Sequence, residues 1–172
     1  MKKTAIDLFC GAGGLSEGFR QAGFQILAGN DIEEAAGKTY TATHHDANFL
    51  SGPIQSISAD DLMNAAGLAP GELDVLIGGP PCQAFSVIGK RLGMQDRRGN
   101  LVYSFLTAIE KISPEGCLFE NVPGFATIHG GKVATDLIEQ FRSLGYSTWS
   151  GQLCAADFGA ATITARSFLF WV

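Results

Sequence analysis

Short apolar runs alternate with amphipathic stretches along all 172 residues, and that alternation restricts the chain to α/β folds in which helices cover parallel strands. The runs predict strands at Ala5 to Phe9, Gln25 to Gly29, Leu73 to Ile77, Cys117 to Phe119, Ser147 to Leu153 and Ser167 to Val172, with a weak one near Ile54 to Ile57. Apolar residues three and four apart predict helices over Leu15 to Ala22, Glu33 to Thr41, Ala59 to Ala66, Leu101 to Ile112 and Lys132 to Leu144. No repeat, linker or low-complexity segment interrupts the series, so residues 1–172 read as one domain. The series ends on an apolar strand with no helix after it to cover its outer face. It therefore reads as a doubly wound, mostly parallel sheet truncated after its last strand.

A hydrophobic share of 46% against 17% charged residues excludes long disorder. No apolar run approaches the roughly 20 residues of a membrane-spanning helix. The basic start at Lys2 and Lys3 is followed by Asp7 and glycines instead of an export signal's apolar segment. Cys10, Cys82, Cys117 and Cys154 show no Cys-x-x-Cys spacing and no histidine cluster, so no metal site is expected. Reduced thiols fit a cytoplasmic protein. The net charge of −5 argues against indiscriminate nucleic-acid binding. Between Gly89 and Asn100, however, Lys90, Arg91, Arg97 and Arg98 stand against Asp96 alone, a local +3 that leaves −8 for the rest. A solvated loop is the plain reading; a loop meant for phosphates is the functional one.

Three stretches carry chemistry. Asp7-Leu8-Phe9-Cys10-Gly11-Ala12-Gly13-Gly14-Leu15 runs from a strand through a glycine-rich turn into a helix, and Asp31 follows Gly11 by 20 residues at the end of the second strand. Glycines admit a ligand close to the backbone, and a carboxylate at that place hydrogen-bonds ribose hydroxyls, so an adenosine-bearing ligand fits. A purely structural tight turn stays open. Gly78-Gly79-Pro80-Pro81-Cys82-Gln83-Ala84-Phe85-Ser86 puts a cysteine behind two prolines with polar and basic residues after it, a setting for a nucleophile more than for an inert core thiol. Cys117-Leu118-Phe119-Glu120-Asn121-Val122-Pro123-Gly124-Phe125 ends a buried strand on an acid. A strand-end ion pair would explain Glu120 by itself. A cysteine and a glutamate at neighbouring strand ends facing a cofactor loop form a layout for covalent catalysis.

Together the Phe9-to-Gly14 loop, Pro80-Pro81-Cys82-Gln83 and Glu120-Asn121-Val122 resemble the cytosine-C5 DNA methyltransferase family, over Asp7 to about Phe170. The resemblance implies a Rossmann-like methyltransferase fold with S-adenosylmethionine as donor and double-stranded DNA as partner. It implies that Phe9 stacks on the adenine, that Gly11, Gly13, Gly14 and Leu15 form the donor loop, that Asp31 holds the ribose, and that Ile32, Ile54, Pro81 and Leu101 line the donor's pocket. Cys82 would be the nucleophile, Glu120 its acidic partner and Arg166 a further catalytic group. Gln83, Ser86, Lys90, Arg91, Arg97 and Arg98 would meet the DNA. No metal is implied.

The resemblance is incomplete in two places. Where the family reads Tyr-Gly-x-Pro-Gln-x-Arg-x-Arg, this chain has Phe158-Gly159-Ala160-Ala161-Thr162-Ile163-Thr164-Ala165-Arg166, which keeps the second arginine alone. Pro53 stands where an acid commonly meets the adenine amine. The family's target-recognition region and final segments would follow Val172, so a second subunit or a missing segment is expected to supply them. Two other readings stay open: a noncatalytic remnant that binds donor or partner, and a transfer-RNA cytosine methyltransferase.

Overall fold

The computed structural model describes residues 2–81, 101–159 and 165–171. Among the described residues, seven strands alternate with five α-helices: β1 (Thr4–Leu8), α1 (Gly14–Gln21), β2 (Gln25–Asp31), α2 (Glu34–Thr43), β3 (Asn48–Ser51), α3 (Ala59–Ala66), β4 (Val75–Gly78), α4 (Leu101–Ile112), β5 (Gly116–Asn121), α5 (Lys132–Ser143), β6 (Thr148–Cys154) and β7 (Ala165–Trp171). They form one sheet in the order β3-β2-β1-β4-β5-β7-β6. The five strands from β3 to β5 are parallel, and β7 runs antiparallel to both β5 and β6. The doubly wound, mostly parallel sheet expected from the alternation is therefore present.

Parallel neighbours need crossovers, and crossovers are right-handed. Those through α1 and α2 step towards β3, whereas those through α3, α4 and α5 step towards β6, so the two sets lie on opposite faces. Strand residues divide accordingly. Ile6, Leu8, Leu76, Cys117 and Phe119 join one apolar core with Leu62, Phe105, Ile109, Leu137 and Phe141 from α3 to α5. Asp7, one residue out of phase with Ile6 and Leu8, instead meets Ser16 of α1. The strand order reverses between β1 and β4, and ligands of open α/β sheets bind outside the carboxyl ends of the strands at such a point.

Local chemistry explains most boundaries. Helix α3 starts with a reciprocal capping box, in which Ser58 Oγ accepts from the Asp61 amide at 3.0 Å and Asp61 Oδ2 accepts from the Ser58 amide at 2.9 Å. The weak strand expected near Ile54 to Ile57 is corrected: the strand lies earlier, at Asn48–Ser51, and Ile54–Ser56 is a 3-10 turn. Pro53 has no amide to give a ladder, and Ser56 Oγ donates to its carbonyl at 2.8 Å, closing the turn. The Asn30 side chain donates to the carbonyls of Leu50 and Gly52, fixing where the chain leaves β3. Among the described residues no helix is long and apolar enough to cross a membrane.

Candidate active site

The loop after β1 is held open by backbone conformation. Phe9, Gly11 and Gly13 all take positive φ, at 59°, 53° and 92°. Gly13 caps α1 in the left-handed region, which a glycine enters at no steric cost. Asp31 latches the loop from β2, its Oδ2 accepting from the Gly11 amide at 2.7 Å and its Oδ1 from the Glu33 amide at 2.9 Å. Each carboxylate oxygen keeps a lone pair for a further donor. A β-carbon placed on Gly11 or Gly14 would meet nothing within 4 Å, so open space lies beside the loop at both glycines.

Of the other residues expected near a donor, Ile32 follows Asp31 and is 64% exposed. Phe9 and Leu101 are half-buried against the core, Leu15 is half-buried on the first turn of α1, and Pro81 is exposed after β4. Ile54 is buried in the core cluster.

Glu120 is the penultimate residue of β5 and is half-buried. Its Oε1 pairs with Nε of Arg166 on β7 at 2.6 Å. The pair is diagonal across the β5–β7 ladder, in which Glu120 faces Phe168. Burial raises the Glu120 carboxyl above its ordinary value, and the Arg166 guanidinium opposes that rise. On the other flank, Gly79 makes room for the carboxylate: a β-carbon there would stand 2.8 Å from Glu120 Oε2. A side chain at position 79 would have to displace the acid.

Cys82, Gln83, Ser86, Lys90, Arg91, Arg97 and Arg98 lie outside the described residues. The approach to Cys82 is nonetheless defined, because the buried Asn121 Nδ2 donates to the Pro80 carbonyl at 2.9 Å while its Oδ1 accepts from the Val122 amide at 3.0 Å. Asn121 thus ties the segment before the cysteine to the strand that carries Glu120. The sequence pattern assigns Asn121 no role; the one sign of it is an amide side chain next to a candidate acid at the end of an apolar strand.

Asp7 was missed as well. It is 1% exposed, accepts from Ser16 Oγ at 2.6 Å through Oδ2, and leaves Oδ1 with no partner. Burial pushes its carboxyl up to about 7 against the pull of Ser16, and the carboxylates of Asp31 and Glu120 add to the rise. An acid in an otherwise apolar strand core, two residues before a glycine loop, was the readable sign.

The geometry brings the glycine loop, the segment leading to Cys82 and the Glu120–Arg166 pair to the carboxyl ends of β1, β4 and β5, around the reversal in strand order. Fold and loop together define a Rossmann-like sheet of the methyltransferase type. The chain belongs to the C-5 cytosine-specific DNA methylase family, whose profile matches residues 3–170. It is similar to the Type II methyltransferase M.AgeI of Thalassovita gelatinovora, 41% identical over 165 residues that cover 96% of this chain and 38% of that protein. Similarity to the Type II methyltransferase M.AquIA of a Picosynechococcus strain is 36% over 177 residues, 98% of this chain and 71% of that protein. Among solved structures, a putative DNA modification methyltransferase encoded within an E. coli prophage matches with a TM-score of 0.82 at 29% identity, over 99% of this chain and 47% of that one. A Spodoptera frugiperda DNMT2 mutant shares the fold, with a TM-score of 0.77 at 22% identity over 99% of this chain and 50% of that one. The chain thus spans less than half the length of M.AgeI and of the prophage protein.

Proposed function

We propose that this chain is the catalytic and donor-binding part of a DNA cytosine-C5 methyltransferase that uses S-adenosylmethionine and acts on cytosine in double-stranded DNA. The observation that carries the reading is the meeting, at one sheet edge, of a latched glycine loop with a half-buried glutamate whose strand also holds the segment before Cys82.

The residues fit an adenosine-bearing methyl donor. Open space lies beside Gly11 and Gly14, Asp31 has lone pairs left for ribose hydroxyls, and the exposed Ile32 offers an apolar face to an adenine. S-adenosylmethionine, when bound, supplies an electrophilic methyl group.

The chain's own residues supply the rest. C5 of cytosine is unreactive while the ring is aromatic, so the Cys82 thiolate adds to C6 and breaks that aromaticity. Glu120, hydrogen-bonded to N3 and the exocyclic amine, stabilises the adduct, and Arg166 holds the Glu120 carboxylate in place. Once C5 has been methylated, a base removes its proton and the thiolate leaves as the C6–S bond breaks. The target nucleotide must first leave the stack, at about a few kcal/mol. Gln83, Ser86 and the basic stretch from Lys90 to Arg98 are the groups for the vacated gap and the phosphates. Base-sequence readout needs side chains in the grooves, which a further segment or a second subunit would supply.

DNA carrying 5-fluorocytosine tests this reading, since fluorine at C5 blocks the final elimination and traps the Cys82 adduct. A mass increase on the Cys82 peptide, dependent on the donor and lost in Cys82→Ala, is the expected result. An adduct at another cysteine, or methyl transfer surviving in Cys82→Ala, overturns it, and an adduct on transfer RNA instead of DNA reassigns the substrate.

A further inference from the structure

Tyr40 of helix α2 and His44, the residue that caps its C-terminus, place two aromatic side chains one turn apart beneath the glycine loop. Tyr40 is fully buried and His44 nearly so. Their rings pack at 4.7 Å between centroids, and Phe49 of β3 lies 5.5 Å from Tyr40. His44 Nε2 stands 3.2 Å from the Gly13 carbonyl, which also accepts the first-turn amide of Glu17 at 2.8 Å. A carbonyl only accepts, so Nε2 carries the hydrogen in that bond. In the neutral imidazole Nδ1 is then a bare acceptor, and it is buried without a donor. Tyr40 Oη lies 3.2 Å from Ser16 Oγ. Ser16 gives its hydrogen to Asp7 Oδ2, so Tyr40 donates to Ser16.

We infer that Tyr40 and His44 are positioning residues for the donor loop, setting donor affinity through Gly13 and α1 without touching the donor. The inference rests on the reading of the loop as the donor site.

Shape supports it first. A β-carbon on Gly13 would lie 2.4 Å from His44 Nε2, and one on Gly29 would lie 2.5 Å from Tyr40 Cζ. Two backbone positions are bare where these rings sit. Chemistry supports it next. Apolar rings would fill the same space without leaving Nδ1 unpaired, whereas the polar atoms present here are used on Gly13 and on Ser16 of α1. Loop conformation supplies the third reason. Phe9, Gly11 and Gly13 occupy the left-handed region in close succession, and a non-glycine residue stays there only when its surroundings hold it. The Gly13 carbonyl is also where α1 begins, so moving it moves the free amides of that helix's first turn.

Calorimetry of the full chain with S-adenosylmethionine and its demethylated product tests this, in the native sequence and in His44→Leu, His44→Gln and Tyr40→Phe. His44→Leu should weaken both ligands roughly five- to tenfold, the change expected for one lost hydrogen bond, while keeping or raising the melting temperature because the orphaned Nδ1 is gone. His44→Gln, whose amide nitrogen reaches the same carbonyl, should recover to within about twofold of native. Nitrogen chemical shifts of the His44 ring should report hydrogen on Nε2, and exchange of the Glu17 amide should quicken in His44→Leu without ligand. If His44→Leu does not fold, Tyr40→Phe carries the test with a rise of roughly two- to fivefold in dissociation constant. A folded His44→Leu that binds as the native chain does and exchanges Glu17 at the native rate overturns this inference alone. A native chain that binds neither compound overturns the donor site and the inference with it.

Discussion

Asp7→Asn removes a carboxyl that folding strips of water and leaves with one unpaired oxygen. Its effect on stability should grow with pH. In the unfolded chain Asp7 titrates near its ordinary value of 3.8, whereas in the fold burial raises it to about 7. Between those values the unfolded chain releases the proton and the native state keeps it, so native stability falls as pH rises. The contribution is fully present below 3.8, is lost progressively up to about 7, and is constant above that. At about 1.4 kcal/mol per unit, raising the pH from 5 to 8 should cost the native sequence about 2–3 kcal/mol that Asp7→Asn does not lose. Asparagine has the same shape, and its carbonyl still accepts from Ser16. Its amide nitrogen would lack an acceptor, a penalty that does not vary with pH. Urea unfolding followed by the fluorescence of Trp149 and Trp171, at several pH values from 5 to 8, gives the difference between the two chains. The slope of that difference is diagnostic, and its height is not. A difference flat to within about half a kcal/mol, or one of opposite slope, would refute the burial argument.

Gly79→Ala should leave the fold intact by circular dichroism but move the Glu120 carboxylate, lowering adduct formation with 5-fluorocytosine DNA by roughly ten- to a hundredfold, since a misplacement of about 1 Å can cost the upper figure; native-level trapping would show that the acid tolerates the shift. Asn121→Leu leaves the Pro80 carbonyl and the Val122 amide without their buried partner, so urea unfolding should show a loss of about 1–3 kcal/mol. Arg166→Leu removes the charge that opposes burial at Glu120, so the Glu120 carboxyl, followed by carbon-13 resonance, should titrate at higher pH than in the native chain. Thr164→Arg should add little methyl transfer to the chain alone and more once a recognition region is supplied; efficient, sequence-specific transfer by the lone variant would count against a separate recognition segment.

Periodicity made the fold legible because helices and strands of a doubly wound sheet bury different repeats of the same apolar residues. Boundaries of α3 and α4 coincide with the expected ones, since Ser58 and the apolar spacing from Leu101 mark them locally. Strand β3 escaped because its four edge residues, Phe49 and Leu50 half-buried between the exposed Asn48 and Ser51, carry too little alternation, while Ile54 and Ile57 bracket a turn set by Pro53. The antiparallel sense of β7 was not readable at all: direction depends on how the chain after α5 returns, not on the composition of the strand. Motifs contiguous in sequence located the loop at Gly11 and the acid at Glu120. Roles carried by contacts across the chain were hidden. Asn121 meets Pro80 41 positions away, and His44 meets Gly13 31 positions away.

The two atoms left without partners, among the described residues, share one face of the sheet. Asp7 Oδ1 and His44 Nδ1 both belong to the side chains under α1 and the glycine loop, joined through Ser16, Tyr40 and Gly13. The opposite face is packed with Phe105, Phe119, Phe125 and aliphatic neighbours, whose rings meet edge-on or tilted at 5.3 to 5.8 Å. Stability is therefore supplied on one face and partly surrendered on the other, where the loop must hold three positive-φ residues next to open space. Selection for stability alone would replace an orphaned carboxyl oxygen and an orphaned imidazole nitrogen with apolar groups. Their presence beneath the loop is accounted for if holding the loop in that shape matters more than the stability it forfeits. On this account substitutions at Asp7 and His44 that raise the melting temperature should be those that weaken donor binding, and apolar substitutions in the α3–α5 core should move stability without moving affinity.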